Sequence, residues 1–195
     1  MTAVTALDRD RVLDLFRASG ALLEGHFRLS SGLHSGGYLQ CALVLQHPRQ
    51  AEALGQALAG KLAKLGASVV LSPALGGLII GHEVARALGV RAIFAERQDK
   101  VLTLRRGFSL GPNDRVIVIE DVVTTGGSTR ETMVVAETAG ATVVAAGAVI
   151  DRSGGAPNLT VPFESLVTLS LPTYEAEKCP MCEAGEPVVK PGSRS

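Results

Sequence analysis

The chain has 195 residues, 46% of them hydrophobic and 19% charged, with Lys+Arg and Asp+Glu balanced at 19 each. This composition excludes wholesale disorder, and a net charge of zero argues against broad, nonspecific nucleic-acid binding. Asp8, Arg9, Asp10 and Arg11 stand where a signal peptide needs apolar residues, no apolar run approaches the ~20 residues of a membrane span, and the three cysteines are few and odd in number, so a soluble, cytoplasmic, single-domain protein without membrane association is expected.

The predicted elements begin with a helix capped by Asp8, with Val12, Leu13, Leu15 and Phe16 on its apolar face and Gly20 at its end. Residues 25–37, rich in Ser, Gly and His, read as a strand and turn near the surface. Pro48 opens a helix whose Ala51, Leu54, Leu58, Leu62 and Leu65 recur every three or four residues, and Gly66 stops it. A short apolar strand over 68–71 leads through Pro73-Ala74-Leu75-Gly76-Gly77 into a helix ending near Gly89, and 90–95 form another strand. Residues 96–107 interrupt this rhythm with Arg97, Lys100, Arg105 and Arg106 and read as a cationic loop. After the turn at 111–114 come a β-branched strand over 116–119, a helix to Gly140, a strand over 142–150 and a last apolar strand over 166–171, followed by a Pro-, Gly- and Glu-rich tail. Helices alternating with short apolar strands predict an α/β fold with a parallel β-sheet flanked by helices.

The most informative stretch is Val116-Ile117-Val118-Ile119-Glu120-Asp121-Val122-Val123-Thr124-Thr125-Gly126-Gly127-Ser128-Thr129. A buried strand delivers two adjacent carboxylates to its C-terminal end, where open α/β sheets bind ligands. Gly126 and Gly127 let backbone N–H groups approach an anion, the hydroxyls add donors, and the following helix adds its dipole, which together describe a phosphate cradle. The loop has no Walker lysine and is not G-x-G-x-x-G, so triphosphate and dinucleotide ligands fit less well. The two acids would repel a phosphate alone; they suit a ligand with hydroxyls or a bound metal beside its phosphate, as in a phosphorylated ribose.

This stretch resembles the signature of the phosphoribosyltransferase family, whose members bind phosphoribosyl diphosphate (PRPP) and transfer its phosphoribosyl group to a nitrogenous base. Other segments resemble the orotate branch of that family: residues 25–35 followed by Tyr38, the Pro73–Gly77 turn, the run over 96–108, and Asp151-Arg152. Together these segments cover nearly the whole chain, in order. The resemblance implies one domain over 1–195, with a small hood over the site drawn mainly from 1–45 and part of 155–195. It implies transfer of the phosphoribosyl group to orotate, giving orotidine 5-monophosphate and diphosphate in pyrimidine (UMP) synthesis.

By position it assigns PRPP binding to Glu120, Asp121, Val122, Val123, Thr124, Thr125, Gly126, Gly127 and Ser128. Orotate contacts fall to Thr124 and Arg152, and catalytic roles to Arg97, Lys100, Glu120 and Asp121. Mg²⁺ is the implied cofactor, held mainly by substrate and water rather than by dedicated protein ligands. The implied assembly is a homodimer whose cationic loop closes over the partner's site. Departures from many relatives are Ser30 and Gly76 in place of Lys, no His in the cationic loop, and Gly36-Gly37 before the Tyr. Two other functions remain open: a purine-salvage phosphoribosyltransferase, which has no special need for Arg152, and a non-catalytic PRPP-sensing regulator. The basic loop favours catalysis over sensing.

Cys179-Pro180-Met181-Cys182 has zinc-ligand spacing, but a structural site needs about four ligands and no second pair is expected, so zinc binding is discounted. A bland tail, or a disulfide under oxidation, is the expectation. His26, His34, His47 and His82 have no metal-ligand spacing; His34, in its polar segment, is the best of the four for a functional role, and His82 suits packing or the surface.

Overall fold

The computed structural model describes residues 7–29, 31–155 and 157–190. Ser30, named above for its departure from relatives, and the ends of the expected domain and hood lie outside the described residues. Asp8 caps α1 (Arg9–Ala18) by accepting the Arg11 N–H at 2.9 Å, as the sequence predicts. Next come β1 (Leu22–Arg28), β2 (His34–Leu39), a short α2 (Ala42–Leu45) and α3 (Pro48–Leu62), which runs through a 3-10 turn to Gly66 in the left-handed conformation. The remaining order is β3 (Val69–Pro73), α4 (Gly77–Leu88), β4 (Arg91–Gln98), β5 (Val101–Leu104), β6 (Arg115–Val123), α5 (Gly127–Thr138), β7 (Thr142–Asp151), β8 (Phe163–Thr168), β9 (Thr173–Tyr174) and α6 (Pro180–Glu183). No helix among the described residues is long and apolar enough to cross a membrane.

Six strands form the main sheet in the order β5-β4-β3-β6-β7-β8. All neighbours are parallel except β4 and β5, which are antiparallel. The sheet is therefore mixed at one edge rather than wholly parallel. The cause lies in the segment expected to be a loop. β4 continues through the charged residues to Gln98, and Asp99 and Lys100 turn with both φ values positive, 50° and 71°. Such a two-residue turn matches the twist of a hairpin. β5 then returns with Gln98 opposite Val101 and Leu102 buried.

Period-two burial along the central strand explains the layers. Ile117 and Ile119 of β6 join a core with α1, α3 and α4, including Phe16, Leu54, Leu58, Leu62 and Ile80. Val116 and Val118 point to the other face, into a core with Met133 and Ala136 of α5. Each such fully buried Val or Ile stabilises the fold by ~1.5–3 kcal/mol.

A second, three-stranded sheet joins β1, β2 and β9. It is tied further by a bridge from Phe27 to Val189, with Arg28 N–H donating to the Val189 carbonyl and Val189 N–H to that of His26, both at 2.8 Å. The strand predicted over 166–171 ends at Thr168 because the chain turns toward this sheet. There Leu171 packs so closely on the hairpin that a Cβ on Gly37 would lie 2.7 Å from its Cδ2. This contact accounts for the small residue before Tyr38.

Candidate active site

Strand order reverses between β3 and β6. From β3 the chain crosses to β4 on one side; β6 returns to the other side of β3 and leads on to β7. The crevice at the carboxyl ends of β3 and β6 is the switch point where open α/β sheets place ligands. Both Gly-rich turns of the sequence lie there: Pro73–Gly77 after β3, and Thr124–Gly127 after β6.

Glu120 and Asp121 are the acids delivered to this crevice. Glu120 is buried. Burial, with a further push from the Asp121 charge, raises its pKa from 4.5 to about 7, against a hydrogen bond from the Ser128 side chain that favours the ionised form. Burial also raises the Asp121 carboxyl above its ordinary value, opposed by hydrogen bonds from backbone N–H groups. One of these, from Val122 N–H to Asp121 Oδ1, is 2.8 Å long.

The Asp121 carboxylate reaches across the crevice to the opposite turn: a Cβ on Gly76 would lie 2.7 Å from Oδ1 and 3.0 Å from Oδ2. With Asp121 in this position the turn has no room for a side chain at 76, which is the physical counterpart of the missing Lys. The Ala74–Leu75 peptide in the same turn is cis.

Gly126 starts α5 with φ +74°, so it supplies no side-chain cap, and a Cβ there would meet the Pro157 carbonyl at 2.5 Å. The uncapped first turn leaves N–H groups for an anion. Thr124 and Thr125 are exposed beside it, Ser128 is half-buried, and Val122 and Val123 carry the strand into the loop. Arg130 holds this loop in place, a role sequence reading missed. Its Nη1 donates to the Thr125 carbonyl at 2.9 Å and the Pro157 carbonyl at 3.0 Å. The only sequence signal for it is a cation in the first turn of a helix, where the dipole disfavours one.

Arg152 follows β7, the neighbour of β6, with its N–H bonded to the Val123 carbonyl at 2.7 Å. Its Nε is buried without a hydrogen-bond partner among the described residues. Burial lowers its pKa, although an arginine remains a cation at neutral pH. Asp151 is engaged instead by Ser153 N–H, Ser153 Oγ and Gly155 N–H at 2.6–3.0 Å.

Arg97 and Lys100 lie on the β4–β5 hairpin, beyond the same end of the sheet. Arg97 pairs with Glu131 of α5 at 2.7 Å and donates to the Lys100 carbonyl at 2.7 Å. Arg106 is committed to Glu96 by two hydrogen bonds of 2.7 and 2.8 Å. An apolar groove of about 870 Å³ runs between the hairpin and α5, along Val101, Leu102 and Val134. Its lining includes neither acid of the crevice but takes in Lys100 and reaches Gly127 at the start of α5.

The expectation for the tail is corrected. Cys179 is fully buried, both cysteines are free, and His26 and His34 lie beside them. The second pair that the sequence did not show comes from the β1–β2 hairpin, brought to Cys179 and Cys182 by β9 and the Val189 bridge. The pairing is not local, so residue spacing along the chain carried no sign of it.

Paired acids and an uncapped helix start at the switch point of this sheet are the arrangement of a type I phosphoribosyltransferase. No protein-family model matches the chain. It is 55% identical over 188 residues to the orotate phosphoribosyltransferase of Pelotomaculum thermopropionicum, covering 96% of this chain and 99% of that one. The crystal structure of orotate phosphoribosyltransferase from Aeropyrum pernix superposes with a TM-score of 0.69 at 27% identity, over 81% of this chain and 93% of that one. Adenine phosphoribosyltransferase from Thermoanaerobacter pseudethanolicus shares the fold, with a TM-score of 0.60 at 17% identity, over 68% and 88% of the two chains. The chain belongs to the orotate phosphoribosyltransferase family.

Proposed function

We propose that this chain transfers the phosphoribosyl group of PRPP to orotate, forming orotidine 5-monophosphate and diphosphate for pyrimidine synthesis. The observation that carries the reading is the pair Glu120-Asp121 at the switch point, directly before the uncapped start of α5. Thr124, Thr125, Ser128 and the N–H groups of that first turn hold the 5-phosphate of PRPP. Glu120 and Asp121 lie along the ribose, where their hydroxyl partners and the anomeric carbon are.

Bond breaking to diphosphate leaves positive charge on the ribose before the base nitrogen attacks. Two carboxylates aimed at that charge stabilise it more in the transition state than in the ground state, which is what accelerates a reaction. Arg97 and Lys100 supply positive charge to the departing diphosphate. Arg152, with its unpartnered Nε, takes the orotate carboxylate, and Thr124 contacts the same base. The Arg152 contact distinguishes orotate from the uncharged bases of a purine-salvage enzyme.

Hard oxygen donors at Glu120 and Asp121 suit Mg²⁺, and two carboxylates without further protein ligands match an ion held mainly by substrate oxygens and water. When bound it neutralises charge on the diphosphate. The working unit is a cytoplasmic homodimer in which the β4–β5 hairpin of one protomer closes over its partner's crevice, excluding water from the activated sugar.

The test is base choice. The protein is incubated with PRPP and Mg²⁺ and, in turn, orotate, adenine, hypoxanthine or uracil, and diphosphate release is followed. Only orotate is expected to be consumed. Turnover of adenine with orotate ignored would overturn the reading.

A further inference from the structure

Outside the crevice, one cluster of side chains has chemistry that phosphoribosyl transfer does not use. His26 lies in β1, His34 opens β2, Cys179 stands at the N-terminal cap of α6, and Cys182 lies within its single turn. One ligand atom from each of the four falls within 4.8 Å of all the others. His26, His34 and Cys179 are buried, while Cys182 borders solvent. The hairpin register explains how the two histidines come to share a face. A bulge between Glu24 and Phe27 places an extra residue in β1 and re-aims His26 toward His34.

The distances describe a coordination shell. Cys179 Sγ and Cys182 Sγ are 3.5 and 3.7 Å from His26 Nε2, and Cys182 Sγ is 3.3 Å from His34 Nδ1. Zn–S bonds of about 2.3 Å and Zn–N bonds of about 2.05 Å at tetrahedral angles give S···N edges of about 3.5 Å. The two imidazole nitrogens are 2.8 Å apart. A tetrahedral N···N edge is about 3.3 Å, so the rings part by roughly half an ångström around a metal.

The tautomers agree. His26 Nδ1 lies 2.9 Å from the Glu186 carbonyl oxygen. A carbonyl only accepts, so Nδ1 carries the hydrogen and Nε2 turns its lone pair into the cluster. A metal-bound histidine is oriented in the same way by a carbonyl on its other nitrogen.

We propose that His26, His34, Cys179 and Cys182 bind one structural Zn²⁺ that fastens the segment over 173–190 to the β1–β2 hairpin. Two nitrogen and two sulfur ligands in tetrahedral reach select zinc over Mg²⁺, which takes oxygen. Four protein ligands fill the shell and leave no open position for a substrate, so the site is structural and separate from the ribose-phosphate crevice. Its partners already share backbone hydrogen bonds through β9 and Val189, and the metal joins the same elements through their side chains.

The experiment uses the full chain purified without chelator, and its readouts are metal content and thiol reactivity, not turnover. Elemental analysis is expected to find about one zinc per chain in the wild type and near none in Cys179→Ser or Cys182→Ser. His82→Ala, altered at an exposed histidine outside the cluster, keeps its zinc. Because a Cys→Ser variant can lose metal through misfolding, the wild type is also stripped with a chelator under reducing conditions and titrated with Zn²⁺ alone. Zn²⁺ is expected to restore protection of both tail thiols from alkylation and to raise the melting temperature. Co²⁺ in its place is expected to give the visible bands of a tetrahedral thiolate site. Zinc-free wild type whose thiol reactivity and melting temperature do not respond to added Zn²⁺ would overturn the proposal. So would retention of zinc by both serine variants. A failure of orotate turnover in either preparation bears on the crevice and not on this site.

Discussion

Glu120→Gln is expected to make the ligand-free protein more stable and the enzyme slower. The wild-type carboxyl titrates at about 7 in the folded chain against 4.5 as its ordinary value. Above pH 7 both folded and unfolded chains are ionised, and the folded one carries the full cost of a buried charge beside Asp121. The difference between 4.5 and about 7 corresponds to a cost of roughly 3 kcal/mol. As pH falls through 7 the folded chain takes up a proton before the unfolded one, the cost shrinks, and near pH 4.5 it is gone. Glutamine keeps the shape and an acceptor for Ser128 but never carries the charge. For a chain of this size each kcal/mol moves the melting temperature by about 2–4 °C, so the variant is expected to melt roughly 6–12 °C higher at pH 8 and with little difference at pH 4.5. Thermal unfolding without substrates, at both pH values, checks this. Steady-state assays alongside are expected to show kcat down by about 10²-fold, the scale of one preorganised electrostatic group. Equal melting temperatures at pH 8, or the same gain at both pH values, would refute the reasoning that the site holds a destabilising charge.

Arg152→Ala is expected to raise KM for orotate by about 10-fold or more, the scale of a charged hydrogen bond, with KM for PRPP little changed in steady-state assays. Gly126→Ala forces a side chain into a positive-φ position against the Pro157 carbonyl; it should lower stability by about 1–3 kcal/mol in urea unfolding and raise KM for PRPP. For the shared site, Lys100→Ala and Asp121→Asn are each weak alone. Mixing them with subunit exchange verified by mass should restore activity to roughly a quarter of wild type, because one of two sites in each mixed dimer is whole. No recovery would place each hairpin over its own subunit's crevice.

Contiguity decided what could be read from the chain. The helix over 48–62 and the strand–loop–helix from β6 to α5 are each specified by neighbouring residues, through a 3.6-residue period, a β-branched run and two glycines. The strand, loop and helix start that carry Glu120, Asp121, Gly126 and Gly127 were therefore legible, as was the position of Arg152 at the end of β7. The β4–β5 hairpin was not, because Arg97, Asp99 and Lys100 interrupt the apolar pattern at the turn and the strand is specified by pairing across it. The contact of Asp121 with Gly76 joins two turns that only the sheet order brings together. The His/Cys cluster is the extreme case: its two halves are 153 residues apart between His26 and Cys179, and a bulge with no sequence mark aims one of them.

The small sheet also sets an order of assembly. β1 and β2 are made early, but His34 pairs with Tyr174 and Phe27 with Val189. While a ribosome is still working toward those residues, the hairpin has only itself to pair with, and an isolated two-stranded hairpin is marginally stable in water. The six-stranded sheet, by contrast, is complete once Thr168 has emerged. The nascent chain thus holds a finished crevice beside an unfinished edge, and that exposed edge is where premature pairing with another chain would begin.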